Sequence, residues 1–354
     1  MTPILYDSDE TSFLTGGIAY LADCTSCIVT EERNGVYECE FTYPCFGSLF
    51  SEIKEHRYIF ATHDESGIGQ PFEIYSRSEP INGLVTFYAH HISYKLSNLI
   101  VMPFTAGSCS SAMAKIRSHR VGPDLFTYQT DIDSSAEYKS EIPKPIREVL
   151  GGSEGSLLDV YGGEYEFDRF NVFLHKQRGE DTNVEIRHGK NLVDFEHQID
   201  NSEAYNAIVP YWYSEGTDDE PSILVTLPEE MIIHDPDAPL MAVPYDMSDQ
   251  FEEAPTADEL RNAATEKFNN EKPWIESENF EINFAALWQT EEYKEYAPLQ
   301  RVKLCDTVLV YYPAYGIYAV REKIVKTVYN TLLNRYDEIT LNELPTTLSG
   351  TLSN

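Results

Sequence analysis

Gly151-Gly152-Ser153-Glu154-Gly155 has the spacing of a Gly-x-Ser-x-Gly nucleophile elbow, where a serine hydroxyl sits on a strained turn after a strand and before a helix. Here the order is reversed. Pro145 to Leu150 suits a short helix ended by Gly151-Gly152, and strand-like sequence follows, so the motif reads as a flexible turn. Glu164, Glu166 and Asp168 could share acid and base roles on one strand face. Alternating with Tyr165 and Phe167, they read instead as a solvated face or a subunit contact. Cys24-Thr25-Ser26-Cys27 with Cys39 and Cys45 has half the look of a zinc site, but the second pair is spaced too loosely for a knuckle. Cys39 also lies in an alternating strand with Tyr37, Phe41 and Tyr43, where a thiol acts as a small hydrophobe.

The histidines are His56, His63, His90, His91, His119, His175, His188, His197 and His234, and none forms a ligand pair at helical spacing. Adjacent on a strand, His90 and His91 point to opposite faces and cannot share a metal. No phosphate loop, dinucleotide fingerprint or calcium loop is present in the sequence. The expectation is therefore no catalytic, cofactor-binding or metal-ligating residue, and no cofactor.

The elements that would position these residues are mostly strands. Ile28-Val29-Thr30, the turn Arg33-Asn34-Gly35 and Val36 to Tyr43 predict a hairpin, ended by Pro44. Further strands are predicted at Tyr58 to Thr62, Phe72 to Ser76 and Leu84 to Ile92. Ser108 to His119 is a helix with a serine cap, ended by Gly122-Pro123, and Leu125 to Tyr128 is strand-like. From Leu157 to Leu192 the period of two predicts a three-strand meander, opened by Gly162-Gly163 and turned again at Arg178-Gly179-Glu180-Asp181. Ala207 to Tyr213 and Ile223 to Leu227 continue the β pattern, and His234 to Pro255 reads as an acidic linker. Thr256-Ala257-Asp258-Glu259 is a capping box opening a helix striped by Leu260, Ala264 and Phe268. Phe280, Ile282 and Phe284 alternate, and Thr307 to Tyr312, Ile317 to Val328 and Arg335 to Leu341 predict three closing strands.

A chain of 354 residues, 42% hydrophobic and rich in Tyr and Phe, can build several β-rich cores and is not disordered. No apolar run reaches the roughly 20 residues of a membrane helix, and the N-terminus lacks a signal-peptide pattern. Folding in the cytoplasm, with reduced thiols, is expected. With 59 acidic and 26 basic residues the net charge is −33, which repels phosphate backbones and argues against reading DNA or RNA. In a tube, the same charge would let DNA slide past.

Leu150 to Asp168, Leu174 to Gly179 and Ile186 to Leu192 resemble the siphophage tail-hub family. That family is also called prophage endopeptidase tail, or the N-terminal domain of the tail-associated lysin, and is similar to the baseplate hub of contractile-tailed phages. Ala22 to Pro44, Leu304 to Val308 and Leu332 to Leu341 fit the same pattern, so the resemblance covers nearly the whole chain. It implies a mainly β fold with α/β parts: two β-barrels, a small α/β domain and a helical insertion.

The expected division follows. Residues 1–100 form the first barrel and 101–186 the small α/β domain with the meander. Residues 187–248 and 299–344 form the second barrel, 249–298 the insertion and 345–354 a tail. The resemblance further implies a homotrimer that contacts the distal tail protein and the tape-measure protein. Receptor-binding or baseplate proteins would be further partners, and DNA would pass without specific binding. A lytic domain, where the family has one, follows the hub, so an enzymatic role is not expected of this chain. The alternatives are a tail-associated peptidoglycan hydrolase and a carbohydrate-binding module using Trp212, Trp274 and Trp288.

Overall fold

A computed structural model describes residues 1–123, 125–153, 155–187, 192–200, 204–215, 221–251, 253–274, 277–284, 301–313 and 317–342. The chain folds as two compact units, Met1–Glu196 with Phe280–Asn342, and His197–Asn279.

The first unit opens with β1 (Ile4–Tyr6), β2 (Ala19–Tyr20), β3 (Ser26–Glu32), β4 (Tyr37–Pro44), β5 (Tyr58–Thr62), β6 (Gly69–Arg77) and β7 (Leu84–His91). They pair antiparallel in the order β3-β4-β7-β6-β5-β1-β2. The predicted hairpin is β3–β4, and its alternation sends Tyr37, Cys39, Phe41 and Tyr43 inward while Glu38, Glu40 and Thr42 stay nearer water.

After β8 (Ile100–Val101) and β9 (Phe104–Ala106) comes α1 (Cys109–His119), whose Ser108 cap accepts from the Ser111 amide. β10 (Thr127–Thr130), β11 (Tyr138–Ser140), β12 (Lys144–Pro145), α2 (Ile146–Leu150) and α3 (Leu157–Tyr161) follow. β13 (Glu164–Asp168) and β14 (Asn171–His175) form a hairpin, and β10 joins β14 in parallel. Leu96, Met113, Ile116, Val149, Leu157 and Val172 fill the core of this part.

The meander has two strands rather than three. β15 (Asp181–Arg187) leaves it and pairs in parallel with β22 (Thr307–Tyr312). Alternation shows that a segment is a strand, but not which neighbour it pairs with. β16 (Leu192–Asp200) then carries the chain onward.

The second unit holds β17 (Ala207–Ser214), β18 (Ile223–Thr226), β19 (Ile232–Ile233), β20 (Ala242–Asp246) and α4 (Ala257–Glu271). Residues 242–246, expected within a linker, pair in parallel with β17. Ile208, Trp212 and Tyr245 pack on Leu260, Ala264 and Phe268, so α4 shares a core with the strands before it. That grouping differs from the expected one, which joined 187–248 to the closing strands.

The capping box is as predicted: Thr256 Oγ1 accepts from the Glu259 amide at 3.3 Å, and the Glu259 carboxylate accepts from the Thr256 amide at 2.8 Å. Thr256→Ala should lower the stability of this unit by about 1 kcal/mol, read as a shift in its urea midpoint. No change in that midpoint would contradict the cap.

β21 (Ser277–Phe284) returns the chain, and β22, β23 (Ile317–Asn330) and β24 (Arg335–Asn342) complete the first unit. The expected strands are present, but among the described residues the sheets do not close into two barrels. At 14 residues β23 outreaches its partner β22, and its C-terminal half lies between β24 and β3. The first and last strands of the unit are thus one open sheet, mainly β with few helices. Among the described residues no helix is long and apolar enough to cross a membrane. The alternating Phe280, Ile282 and Phe284 side chains, Trp288, Glu154 and residues 345–354 lie outside what is described.

Candidate functional site

The segment that carries the family resemblance sits where three parts of the first unit meet. At the tip of the β3–β4 hairpin, Asn34 adopts a positive φ of 59°, which asparagine tolerates. Its amide group donates to the Gly163 carbonyl at 3.0 Å and accepts from the Tyr165 amide at 2.8 Å. A side chain thus caps the start of β13 as a strand partner would.

Charged groups fill the joint. Glu164 is 7% exposed and meets Lys323, 2% exposed, from β23. Arg33 lies 3.5 Å from the same carboxylate, and the Arg178 amide donates to it at 2.7 Å. The Arg178 guanidinium pairs with Glu31 of β3 at 2.8 Å and donates to the Tyr165 carbonyl at 3.1 Å. Burial disfavours the charge on Arg178, but the field of Glu31, the lesser fields of Cys305 and Glu166 and the hydrogen bond to Glu31 together outweigh it and raise the pKa. Glu31 is buried and Arg178 largely so, and losing the arginine leaves an uncompensated buried carboxylate.

A second chain of bonds holds the β13–β14 turn. His91 is fully buried and stacks on Tyr37, with ring centroids 4.2 Å apart. Its Nδ1 accepts from the Ser93 amide at 3.2 Å, and its Nε2 lies 3.3 Å from Gln70 Oε1, which assigns the neutral Nε2–H form. Gln70 then donates to Asp168 at 2.9 Å and accepts from the Arg169 amide at 2.8 Å.

Burial, with the nearby His63 and Arg147, holds the His91 pKa well below its usual 6.5. In the unfolded chain His91 takes up a proton as pH falls through about 6.5, while the folded protein does not, so stability falls on acidification. The contribution from this group approaches about 1.4 kcal/mol per pH unit below that point. His91→Gln should lower stability at neutral pH and flatten the fall of the urea midpoint between pH 6.5 and 5. An unchanged slope would contradict the assignment.

Beside the joint lies a polar cavity of about 600 Å³, lined by residues including Glu31, His63, Asp64, Gln70, Arg178 and Asp306. Several of its carboxylates have partners. Glu166 meets His175 Nε2 at 2.8 Å, and Asp131 lies 3.4 Å from His175 Nδ1. Asp306 accepts from the Glu180 and Lys303 amides at 2.9 and 2.8 Å, while burial raises its pKa. The three acids read as one candidate group thus have separate partners: Lys323, Arg33 and Arg178 for Glu164, His175 for Glu166, and Gln70 for Asp168.

The other candidates have structural surroundings too. Ser153 Oγ donates to the Glu148 carbonyl at 3.2 Å, between α2 and α3. A helix, not the expected strand, leaves this turn, but a helix also enters it, so the strand-to-helix elbow is not formed. Cys27 and Cys39 lie 3.8 Å apart in the core, and burial, with Cys27 nearby, pushes the Cys24 thiol up to about 12. Such thiols stay protonated and act as packing groups. Among the described residues no cluster of three or more His, Cys, Asp or Glu could hold a metal ion. His90 and His91 do face apart: His90 stacks between Tyr75 and Tyr94 at 3.8 and 4.4 Å, while His91 is in the core. Trp212 is buried and Trp274 stacks on His234 at 3.6 Å.

Glu31, Asn34, Gln70, Arg178 and Lys323 are the joint residues that sequence reasoning missed as a set. Only Asn34 and Arg178 carried a signal, and in both it was for a turn.

No known family matches the sequence, and no curated protein matches it. Solved structures do. The chain aligns with the prophage tail protein gp18 of Listeria monocytogenes EGD-e at 17% identity and a TM-score of 0.59, covering 99% of this chain and 97% of that one. The 43 kDa tail protein of prophage MuSo2 from Shewanella oneidensis gives 10% identity and a TM-score of 0.62, covering 98% and 99%. A tail protein of Neisseria meningitidis MC58 gives 8% and 0.58, covering 98% of each. The chain has the fold of these prophage tail proteins, as the resemblance led one to expect.

Proposed function

We propose that this chain is a structural hub of a phage or prophage tail tip, assembled as a homotrimer at the distal end of the tail tube. The observation that carries this reading is the end-to-end likeness in fold to three tail proteins, over at least 97% of each. The joint adds support. Its buried ions are paired, Glu164 with Lys323 and Glu31 with Arg178, which suits a part that holds shape better than one that turns over substrate.

In this reading the trimer presents a pseudo-sixfold ring to the distal tail protein, with the two halves of the open sheet in the place of two barrels. The tape-measure protein and then DNA pass through it. The net charge of −33 suits an inner wall to which DNA does not adhere. Adhesion or lytic modules and other baseplate proteins attach below. The chain assembles in the host cytoplasm and ends in the virion tail tip.

Native mass measurement with negative-stain microscopy tests the reading: a trimer forming a three-fold ring with a central hole is expected. A monomer at all concentrations would overturn the trimer, and tight, salt-sensitive binding of duplex DNA the acidic wall. Sustained cleavage of host cell walls, abolished by Glu166→Gln or Ser153→Ala, would favour the hydrolase alternative.

A further inference from the structure

We infer that Asn34-Gly35 is a self-modification site that the joint holds unreactive, so that a copy whose hairpin tip leaves the joint is chemically altered and does not close again as before.

The chemistry belongs to the dipeptide. The amide nitrogen after an asparagine loses its proton to water or hydroxide and attacks the side-chain carbonyl carbon. A five-membered succinimide closes, and the side-chain nitrogen leaves as ammonia. Water then opens the ring at either carbonyl, giving aspartate or isoaspartate. The sum is asparagine plus water to acid plus ammonia, with no oxidant or reductant. Glycine in second place favours it, because it has no side chain to block the approach and its backbone turns freely. Asn-Gly occurs in the chain at Asn34-Gly35 and at Asn82-Gly83, and both asparagines adopt positive φ, 59° and 54°.

What differs is the hold on the reacting atoms. The Asn34 carboxamide donates to the Gly163 carbonyl at 3.0 Å and accepts from the Tyr165 amide at 2.8 Å, which keeps it turned toward β13. The attacking group, the Gly35 amide, donates to the Glu32 carbonyl at 3.1 Å. The Arg33 amide donates to the Val325 carbonyl of β23 at 2.8 Å, so the tip is tied on that side as well. To react, the carboxamide must leave β13 and swing onto its own following peptide, breaking both of its bonds. Asn82 is exposed, and among the described residues neither its carboxamide nor the Gly83 amide has a hydrogen bond. Asn82-Gly83 therefore reacts from the folded state, whereas Asn34-Gly35 reacts only from the fraction of copies in which the joint is open.

The products prevent a return. Aspartate at position 34 still accepts from the Tyr165 amide but has no donor for the Gly163 carbonyl, and it adds a carboxylate beside buried Glu164. Isoaspartate also lengthens the main chain of the tip by one methylene.

The test incubates the full chain at mildly alkaline pH, where the attacking amide loses its proton more readily, both folded and in urea above its unfolding midpoint. Peptide mass mapping, with isoaspartyl methylation as a second readout, follows each site. Asn34 should convert at least about tenfold more slowly in the folded chain than in urea, while Asn82 should differ by no more than about threefold. Lys323→Met, under conditions where its urea transition shows it folded, should speed conversion at Asn34 and leave Asn82 unchanged. If that variant does not fold, the wild-type chain in urea just below its midpoint makes the same comparison. Asn34→Asp carries the product's charge from the start and should lower the urea midpoint. Asn34 converting equally fast folded and in urea, or Asn82 slowed by folding as much as Asn34, overturns the protection by the joint. So does conversion at Asn34 that stays at the folded wild-type rate when the joint is weakened. An Asn34→Asp midpoint equal to wild type overturns the lasting change.

Discussion

Gly179→Ala is expected to destabilise the first unit by more than about 4 kcal/mol, among the largest effects of a single methyl group. Gly179 closes the segment that follows β14 and has a φ of 80°. A Cβ there would lie 2.3 Å from the Cys305 carbonyl carbon and oxygen and 2.6 Å from the Asp306 nitrogen. These are backbone atoms and cannot swing aside as a side-chain end could. Moving them would strain the Glu180 amide bond to Asp306 and the Thr307 amide bond to the Glu180 carbonyl, each 2.9 Å. Those bonds start the parallel pairing of β15 with β22, so the damage spreads to a strand joint.

Gly152→Ala is the matched control. Its φ is 88°, but nothing lies within 4 Å of an added Cβ, so only the left-handed strain of about 1–2 kcal/mol remains. Urea midpoints of the two variants compare close approach with conformational strain. Equal losses would mean that Cys305 and Asp306 are not where the structure places them.

Gly179 also shows what the sequence could and could not convey. Its type marked a turn, and the turn is there. That the turn must pass within contact of residue 305 depends on a loop more than a hundred positions away, which no local pattern encodes. The same limit explains β15, whose alternation was plain while its partner was not. The capped helices α1 and α4 were legible because cap, stripe and stop are local signals. The barrels were expected from the resemblance; among the described residues β23 pairs with both β24 and β3, so the first and last strands run on as one sheet. The candidate site was least legible. Glu164 and Asp168 looked alike on one strand face, yet one is buried against Lys323 and the other reaches Gln70 at the hairpin turn. Sequence gives their spacing; only the packing of distant segments sets their burial.

Lys323→Met is expected to cost the first unit about 3–5 kcal/mol, because it removes the cation that most directly offsets buried Glu164. Methionine fills similar space, so the loss is electrostatic rather than a cavity. Arg33 remains 3.5 Å away and the Arg178 amide 2.7 Å away, which keeps the loss near the lower end of that range. Adding Glu164→Leu removes the stranded carboxylate and should restore part of the stability. Recovery stays incomplete, since the Arg178 amide and Arg33 then lose their acceptor. A double-mutant cycle should therefore give a coupling of about 1–3 kcal/mol. Sheltered from water, the pair is weakly screened, so the coupling should persist in about 1 M salt. The exposed pair Lys139 and Glu141 makes the comparison, and breaking it should leave the urea midpoint unmoved. The joint ties β3, the β13–β14 hairpin and β23, segments separated by 131 and 159 positions, so it is complete only when all three have assembled. Lost cooperativity in the Lys323→Met transition, seen as a lower denaturant slope, would identify the joint as what makes the first and last strands unfold together. A single variant as stable as wild type, with no coupling in the cycle, would show that the charges are not buried against each other.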